Sequence, residues 1–186
     1  GFAVGAVEKE NLLTKFKVKS NDIILAVPSS GIHSNGFSLV NFILKKKKLN
    51  INSKMKKDLL KPTKIYVREI NAINKKKLLN ACANITGGGL IDNITRVIPE
   101  DLFINIDLSR IKILPIFKWL KKNNISDKEM LKTFNCGVGF CLIVNKKNVE
   151  KVKKFFSKEY LPYEIGFISR RKFKINTTGK LNWWTK

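Results

Sequence analysis

The segment Ile23-Ile24-Leu25-Ala26-Val27-Pro28-Ser29-Ser30-Gly31-Ile32-His33-Ser34-Asn35-Gly36-Phe37-Ser38-Leu39 decides how this chain is read. Its first five residues are continuously apolar, the pattern of a strand covered on both faces. Its last residues open a helical spacing that runs on through Val40, Ile43 and Leu44 and ends in lysines. A loop of small residues joins the two. Such a loop presents backbone N–H groups, hydroxyls and an amide at a positive helix terminus, which suits a phosphate. The candidate binding residues are Ser30, Gly31, Ser34, Asn35 and Gly36, and the chain's one histidine, His33, sits among them. Read blandly, Asn35-Gly36 is a hairpin turn. The helical spacing that follows disfavours that reading.

A second loop, Thr86-Gly87-Gly88-Gly89, precedes another helical pattern over residues 90–98. It reads either as a second phosphate cradle, open because glycine lacks a side chain, or as a plain turn with positive φ. Two such loops in one chain point to a phosphate-bearing ligand.

Working outward, residues 22–27 form the strand just described, and residues 2–7 read as a short buried strand. Residues 54–60 read as a short helix stopped by Pro62, and residues 65–73 as a helix starting near Pro62-Thr63. Leu102, Ile104, Ile106 and Leu108 alternate with Phe103, Asn105 and Asp107, a strand. A helix opens at Pro115, and Ser126 to Glu129 is a capping-box pattern for another over residues 127–133. Residues 139–144 read as a buried strand, Asn148 as the cap of a helix, and residues 163–168 and 173–175 as further strands. The expected fold is one α+β domain, helices packed on a mixed sheet.

Length and composition narrow the classes. At 186 residues the chain is long enough for a real core. Its net charge of +23 would attract any polyanion. The lysines come in short blocks at helix C-terminal ends, where they complement the helix dipole, so a solvated basic surface is expected and specific nucleic-acid binding is not. Cys82, Cys136 and Cys141 lack metal-ligand spacing, so no metal site is expected and a reducing cytoplasm is. No signal peptide or membrane span is apparent, and a start at Gly1 rather than Met suggests a cut inside a longer protein.

Five segments stand in a telling order: Gly1-Phe2-Ala3-Val4-Gly5-Ala6-Val7-Glu8-Lys9; residues 28–39; Leu59-Leu60-Lys61-Pro62-Thr63-Lys64-Ile65-Tyr66-Val67; Ile85-Thr86-Gly87-Gly88-Gly89-Leu90 with Asn93; and Ile116-Phe117-Lys118-Trp119-Leu120 followed by Thr133-Phe134-Asn135-Cys136-Gly137-Val138-Gly139. Together they resemble the C-terminal half of the aminoimidazole ribonucleotide synthetase, or phosphoribosylformylglycinamidine cyclo-ligase, family. The resemblance covers residues 1–170 and leaves 171–186 as a tail of uncertain structure. It implies a ring closure in purine synthesis. ATP activates the formyl oxygen of formylglycinamidine ribonucleotide as a phosphate ester, the amidine nitrogen attacks the formyl carbon, and phosphate leaves. It also implies ATP and Mg2+ held mainly by an absent N-terminal half, a homodimer when complete, and inactivity of this half alone.

The implied site combines His33 as the catalytic group with Ser30, Gly31, Ser34, Asn35, Gly36, Thr86, Gly87, Gly88, Gly89 and Asn135 as phosphate or substrate ligands. His33 suits a phosphate contact or proton transfer; read blandly, it bonds its own loop backbone. Asn135 suits the amidine or ribose; read blandly, it is a helix C-cap. Asp92 and Asp107 are candidate cleft carboxylates, or plain surface residues. Asn84 stands where the family usually has histidine, and asparagine cannot ionise. Thr95 replaces a usual proline.

The rival classes are a non-catalytic basic module for nucleic acid and a sister ATP-dependent enzyme such as a thiamine-phosphate kinase, a selenophosphate synthetase or a hydrogenase-maturation protein. The paired glycine loops argue against the first, and Pro62-Thr63 with Phe117-Lys118-Trp119 against the second. Any nucleic-acid binding is expected to be weak and steeply salt-dependent, since dispersed lysines release counterions without reading bases. Sequence-selective binding that persists as salt is raised in a filter or anisotropy titration would contradict this.

Overall fold

The computed structural model describes residues 1–48, 50–170 and 175–184. Its centre is the strand expected from the opening segment, β1 (Ile23–Pro28). The other strands are β2 (Ala81–Asn84), β3 (Phe103–Asp107), β4 (Val138–Val144), β5 (Tyr163–Ser169) and β6 (Ile175–Thr178). They form one sheet in the order β2-β4-β1-β5-β3-β6. All neighbours are antiparallel except β3 and β6, which are parallel. The mixed sheet of an α+β fold is therefore observed.

The continuous apolar run of β1 follows from cover on both sides. Ile24 and Ala26 belong to the larger core cluster, and Ile23, Leu25 and Val27 to a second on the opposite face. The larger core packs α1 (Phe37–Lys46), α2 (Ser53–Leu59), α4 (Gly89–Thr95), α5 (Pro115–Lys122) and α6 (Asp127–Thr133) on one side. The second packs α3 (Val67–Lys75) and α7 (Val149–Lys153) on the other. Local signals act as expected at several ends. Pro115 occupies the first turn of α5, the Ser126 hydroxyl accepts from the Glu129 N–H, and lysines close α1 and α3.

Four local expectations need correction. Residues 2–7 form no strand: Phe2 and Val4 are almost fully exposed. A strand needs a neighbour for its N–H and C=O groups, and this segment reaches neither sheet edge. The chain is tied down only from residue 10, where Lys77 Nζ donates to the Glu10 carbonyl and Asn74 Nδ2 to the Asn11 carbonyl. The third helix starts at Val67 rather than near Pro62, because the Ser30 hydroxyl of the first loop takes the Pro62 carbonyl and the Lys64 N–H that a helix there would need. The helix after the triple glycine ends at Thr95, short of the expected residue 98. Asn148 makes no side-chain cap; Asn145 accepts from the Lys147 N–H instead.

At the far edge, Ile175 does lie in a strand, as expected, while Phe173 lies outside the described residues. Beyond β6, Leu181 and Trp183 are buried, and Trp183 Nε1 donates to Asp127 at 3.0 Å. The described part of the tail thus packs on the domain. No helix among the described residues is long and apolar enough to cross a membrane. The cysteines are free, and burial pushes the thiols of Cys82 to about 11 and Cys136 to about 12.

Entry into β1 rests on Asp22, which is 1% exposed. Its carboxylate accepts from the Lys19 N–H and from Asn80 Nδ2, both at 2.8 Å. Asp22→Ala leaves two donors without their acceptor, so it should cost about 1–3 kcal/mol of unfolding free energy. Urea denaturation followed by tryptophan fluorescence measures this; an unchanged midpoint would mean water replaces the carboxylate.

Candidate functional site

The first loop leaves the sheet where β1 can no longer pair. Pro28 has no N–H, and the β1–β4 register shifts between Val27 and Pro28. Ser29, Ser30, Gly31, Ile32 and His33 are all buried. A buried loop needs partners for its backbone, and Asn135, 3% exposed, supplies them. Asn135 Nδ2 donates to the Gly31 carbonyl at 2.9 Å and the Ile32 carbonyl at 3.2 Å. Its Oδ1 accepts from the Ser29 hydroxyl at 3.0 Å and the Gly137 N–H at 2.9 Å. Both amide hydrogens are therefore spent on the loop.

The segment after α2 is strapped over the same loop. The Ser30 hydroxyl donates to the Pro62 carbonyl at 2.6 Å and accepts from the Lys64 N–H at 3.0 Å. The Tyr66 hydroxyl donates to the Pro28 carbonyl at 2.9 Å. These bonds explain why residues 62–66 stay out of the helix. Lys64 is half-buried and pairs with Glu69 at 2.8 Å, and its ammonium helps hold the Glu69 carboxyl below its usual range.

His33 is 6% exposed, with φ of 60°. Its Nε2 accepts from the Ser30 N–H at 3.2 Å, so the proton of the neutral ring belongs on Nδ1. Burial lowers its pKa below the ordinary 6.5. The imidazole is thus neutral at neutral pH. Its ring lies 6.3 Å from that of Tyr66.

Beyond His33 the loop turns outward. Ser34 is exposed and Asn35 half-buried. Gly36 caps α1 in the left-handed region, φ 83°. A Cβ there would lie 2.2 Å from the ring of Phe134, which in turn packs on Phe117 at 6.1 Å. Only glycine satisfies both demands. The Asn-Gly pair therefore opens a helix and not a hairpin.

The second loop has its own buried asparagine. Asn93, 5% exposed, points Nδ2 at the carbonyls of Thr86, Gly87 and Gly89, at 3.3, 3.2 and 2.7 Å. Its Oδ1 accepts from the Thr86 hydroxyl at 3.3 Å and from Arg96 at 3.4 Å. Gly88 and Gly89 have φ of 93° and 69°. A Cβ on Gly89 would lie 1.7 Å from the Leu131 carbonyl oxygen, whereas one on Gly87 would meet nothing closer than Asn35 Oδ1 at 3.9 Å. Gly89 is fixed by packing, and Gly87 faces the first loop.

The candidates thus divide into two layers. Asn35 and Gly87 bring the two glycine loops together, with Ser34, Gly36, Thr86 and Gly88 beside them. Ser30, Gly31, His33 and Asn135 form the buried support. Asp92 is exposed next to Gly88, within 3.1 Å of where its Cβ would be. Asp107 lies away on β3; its carboxyl, bonded to the Ser109 hydroxyl and N–H and facing Arg110, titrates below its usual range. Asn84 is exposed at the end of β2, opposite Phe140. Among the described residues no group of three or more His, Cys, Asp or Glu could hold a metal ion. Sequence reasoning assigned no role to Asn93 or to the Tyr66 hydroxyl. The one available signal was the place of Asn93 between the apolar Leu90 and Ile94, on a helix whose other polar residue there, Asp92, faces solvent.

Comparison with known proteins agrees with this architecture. The family described as AIR synthase related protein, C-terminal domain, matches residues 19–175. Among curated proteins, the phosphoribosylformylglycinamidine cyclo-ligase of Ligilactobacillus salivarius is 44% identical over 183 residues, covering 92% of this chain and 53% of the relative. That of Streptococcus pyogenes serotype M28 is 44% identical over 178 residues, covering 92% and 52%. The chain spans about half the length of the curated relatives it matches. Among solved structures, thiamine-monophosphate kinase from Stenotrophomonas maltophilia superposes with a TM-score of 0.66 at 13% identity, over 95% of this chain and 56% of the other. The hydrogenase maturation protein HypE of E. coli gives 0.61 at 15%, over 89% and 48%. PurL of T. maritima, complexed with ATP, gives 0.58 at 7%, over 95% and 26%. The structural likenesses speak for the fold; the family match, which takes in both glycine loops and most of the chain, shows that it belongs to the AIR synthase related proteins as their C-terminal domain.

Proposed function

We propose that this chain serves as the C-terminal half of a phosphoribosylformylglycinamidine cyclo-ligase. In that role it helps close the imidazole ring of formylglycinamidine ribonucleotide, in the cytoplasm, with ATP converted to ADP and phosphate. The observation that carries the reading is the meeting of two glycine loops in a chain 44% identical to such ligases. An identity of 13–15% to the kinase and the maturation protein favours the cyclo-ligase over those sister enzymes.

ATP, with its magnesium, supplies the phosphoryl group that activates the formyl oxygen. In this reading both are held mainly by the N-terminal half, which also makes the homodimer contact. This chain supplies one wall of the cleft. The backbone N–H groups of Gly87 and Gly88 have no acceptor among the described residues and are free for phosphate oxygens. Asn35 approaches Gly87 from the first loop, with exposed Ser34 next to it in the chain. His33 contributes as a neutral ring, donating through Nδ1–H rather than as a cation. Asn135 acts behind the loop, since its amide hydrogens are spent on Gly31 and Ile32. Reaction here depends on positioning and charge stabilisation more than on a nucleophile.

Alone, the chain is expected to fold but to form no aminoimidazole ribonucleotide, because in-line positioning across a cleft needs both walls and can be worth roughly 7–11 kcal/mol. Adding the N-terminal half of a cyclo-ligase in trans should raise the melting temperature and restore product formation linked to ATP hydrolysis. Turnover by residues 1–186 unaided would refute the division of labour.

In the reconstituted enzyme, His33→Ala should lower turnover by about 10²–10³-fold, the worth of one transition-state hydrogen bond in a dry site. It also orphans the Ser30 N–H, so a stability loss of about 1–3 kcal/mol accompanies it. Unchanged turnover with that same stability loss would assign His33 to structure alone.

The lowered pKa of His33 also sets a pH trend. Below 6.5 the unfolded chain takes up a proton at this residue that the folded chain resists. Its contribution should therefore make stability fall with pH from 6.5 down to the folded pKa, and vanish above 6.5. Comparing denaturation of the wild-type chain and His33→Gln across this range isolates the effect; parallel curves would contradict it.

A further inference from the structure

We propose that Asn93 is a positioning residue: it selects the orientation of the Gly87–Gly88 peptide group and thereby aims the loop's N–H groups into the cleft. The inference deepens the cyclo-ligase reading and rests on it for the identity of the ligand. It does not rest on it for the geometry.

The Gly89 N–H donates to the Thr86 carbonyl at 3.0 Å, closing a four-residue turn. Gly88, its third residue, has φ 93° and ψ −10°, the values of a type II turn. Types I and II differ by a flip of the central peptide, here Gly87–Gly88. With glycine at both positions the backbone itself discriminates little between them.

Asn93 supplies the discrimination. Its Nδ2 lies 3.2 Å from the Gly87 carbonyl and 3.3 Å from that of Thr86. A trans peptide points its N–H opposite its C=O. Holding those two carbonyls inward therefore turns the N–H groups of Gly87 and Gly88 away from Asn93, and these are the two that have no acceptor among the described residues. A flip of the central peptide would break the Gly87 bond and aim that carbonyl into the cleft, where it would repel a phosphate oxygen.

The amide is itself held the right way round. The Thr86 hydroxyl and Arg96 both approach its oxygen, which leaves the NH2 end on the carbonyls. The Asp92 carboxylate lies beside Gly88. Its charge opposes an anion, which makes a correctly aimed pair of N–H groups more important.

The test uses the isotopically labelled 186-residue chain, inorganic phosphate as probe, and the variant Asn93→Asp, nearly the same in shape but without the NH2 donor. Amide resonances of Gly87, Gly88 and Gly89 should move in the variant before phosphate is added, while resonances of β1 and β4 stay in place. Phosphate affinity at the loop should fall on the order of tenfold or more, the loss expected when a fixed hydrogen-bond donor is removed. Asn93→Gln, which keeps the donor on a longer arm, should recover part of it. A merely structural asparagine would lower the melting temperature and leave the loop amides and phosphate affinity unchanged; that result overturns the inference. If phosphate moves no loop amide even in the wild-type chain but the Asn93→Asp loop still reorients, the positioning role stands and the phosphate reading of the loop fails. Should Asn93→Asp not fold, Thr86→Val, which frees the amide oxygen at a half-buried position, makes the same comparison.

Discussion

The constraint on which the rest depends is the burial of β1 on both faces between β4 and β5. A strand in that position cannot end in solvent beside the sheet. Its exit must be carried through protein, and a buried loop must have every backbone group met. Sheet pairing ends just past Pro28, where the Ser29 N–H still donates to the Gly137 carbonyl; beyond it the Ser30 N–H is met by His33 within the loop, and the next two carbonyls by a side chain from far along the sequence. Asn135 reaches Gly31 and Ile32 across more than a hundred residues. Ser30 and Tyr66 tie the loop to the strap over residues 62–66. Only after that support does the chain turn outward at Ser34 to Gly36.

The same solution occurs twice. Each glycine loop follows a strand, precedes a helix and is held by one buried asparagine that grips successive carbonyls, Gly31 and Ile32 in the first loop and Thr86 and Gly87 in the second. Because a peptide carries its donor opposite its acceptor, gripping the carbonyls from behind decides what the front presents. Glycine at these loops is demanded for different reasons. Gly36 and Gly89 lack space for a side chain as well as having positive φ, while Gly87 is open on the side that faces Asn35. In the proposed role the facing layer offers a ligand its unused donors, and of the supporting layer His33 alone acts on the reaction, Ser30, Gly31 and Asn135 holding the loop in place.

The high positive charge has little part in this arrangement. Lysines close the helices and lie along aromatic rings at several surface positions, as Lys76 does over Phe155 and Lys112 over Tyr163, whereas the loops work through neutral N–H groups and amides. His33 follows the same rule, since burial keeps it uncharged. A neutral, pre-aimed cradle can hold a phosphate without the reorganisation that mobile ammonium groups would need.

The sequence by itself determined the central strand, the strand–loop–helix at the first glycine loop, the helix that follows the second, the helix starts at Pro115 and Ser126, and the family; the strand before the second loop came from the structure. These are signals of local origin: apolar continuity, turn chemistry, caps and the order of short motifs. It misjudged residues 2–7, whose apolar run reads as a short buried strand but whose backbone finds no neighbour in the sheet. It began the third helix too early, because nothing local shows that Ser30 will take the Pro62 carbonyl and the Lys64 N–H, or that the Tyr66 hydroxyl will reach the Pro28 carbonyl. Only the tertiary structure decided that Asn135 and Asn93 stand behind the loops rather than in the cleft, and that Asn35 meets Gly87. Hydrogen-bond partners distant in sequence leave no period or spacing to read. An asparagine's role is set by which backbone groups the fold delivers to it.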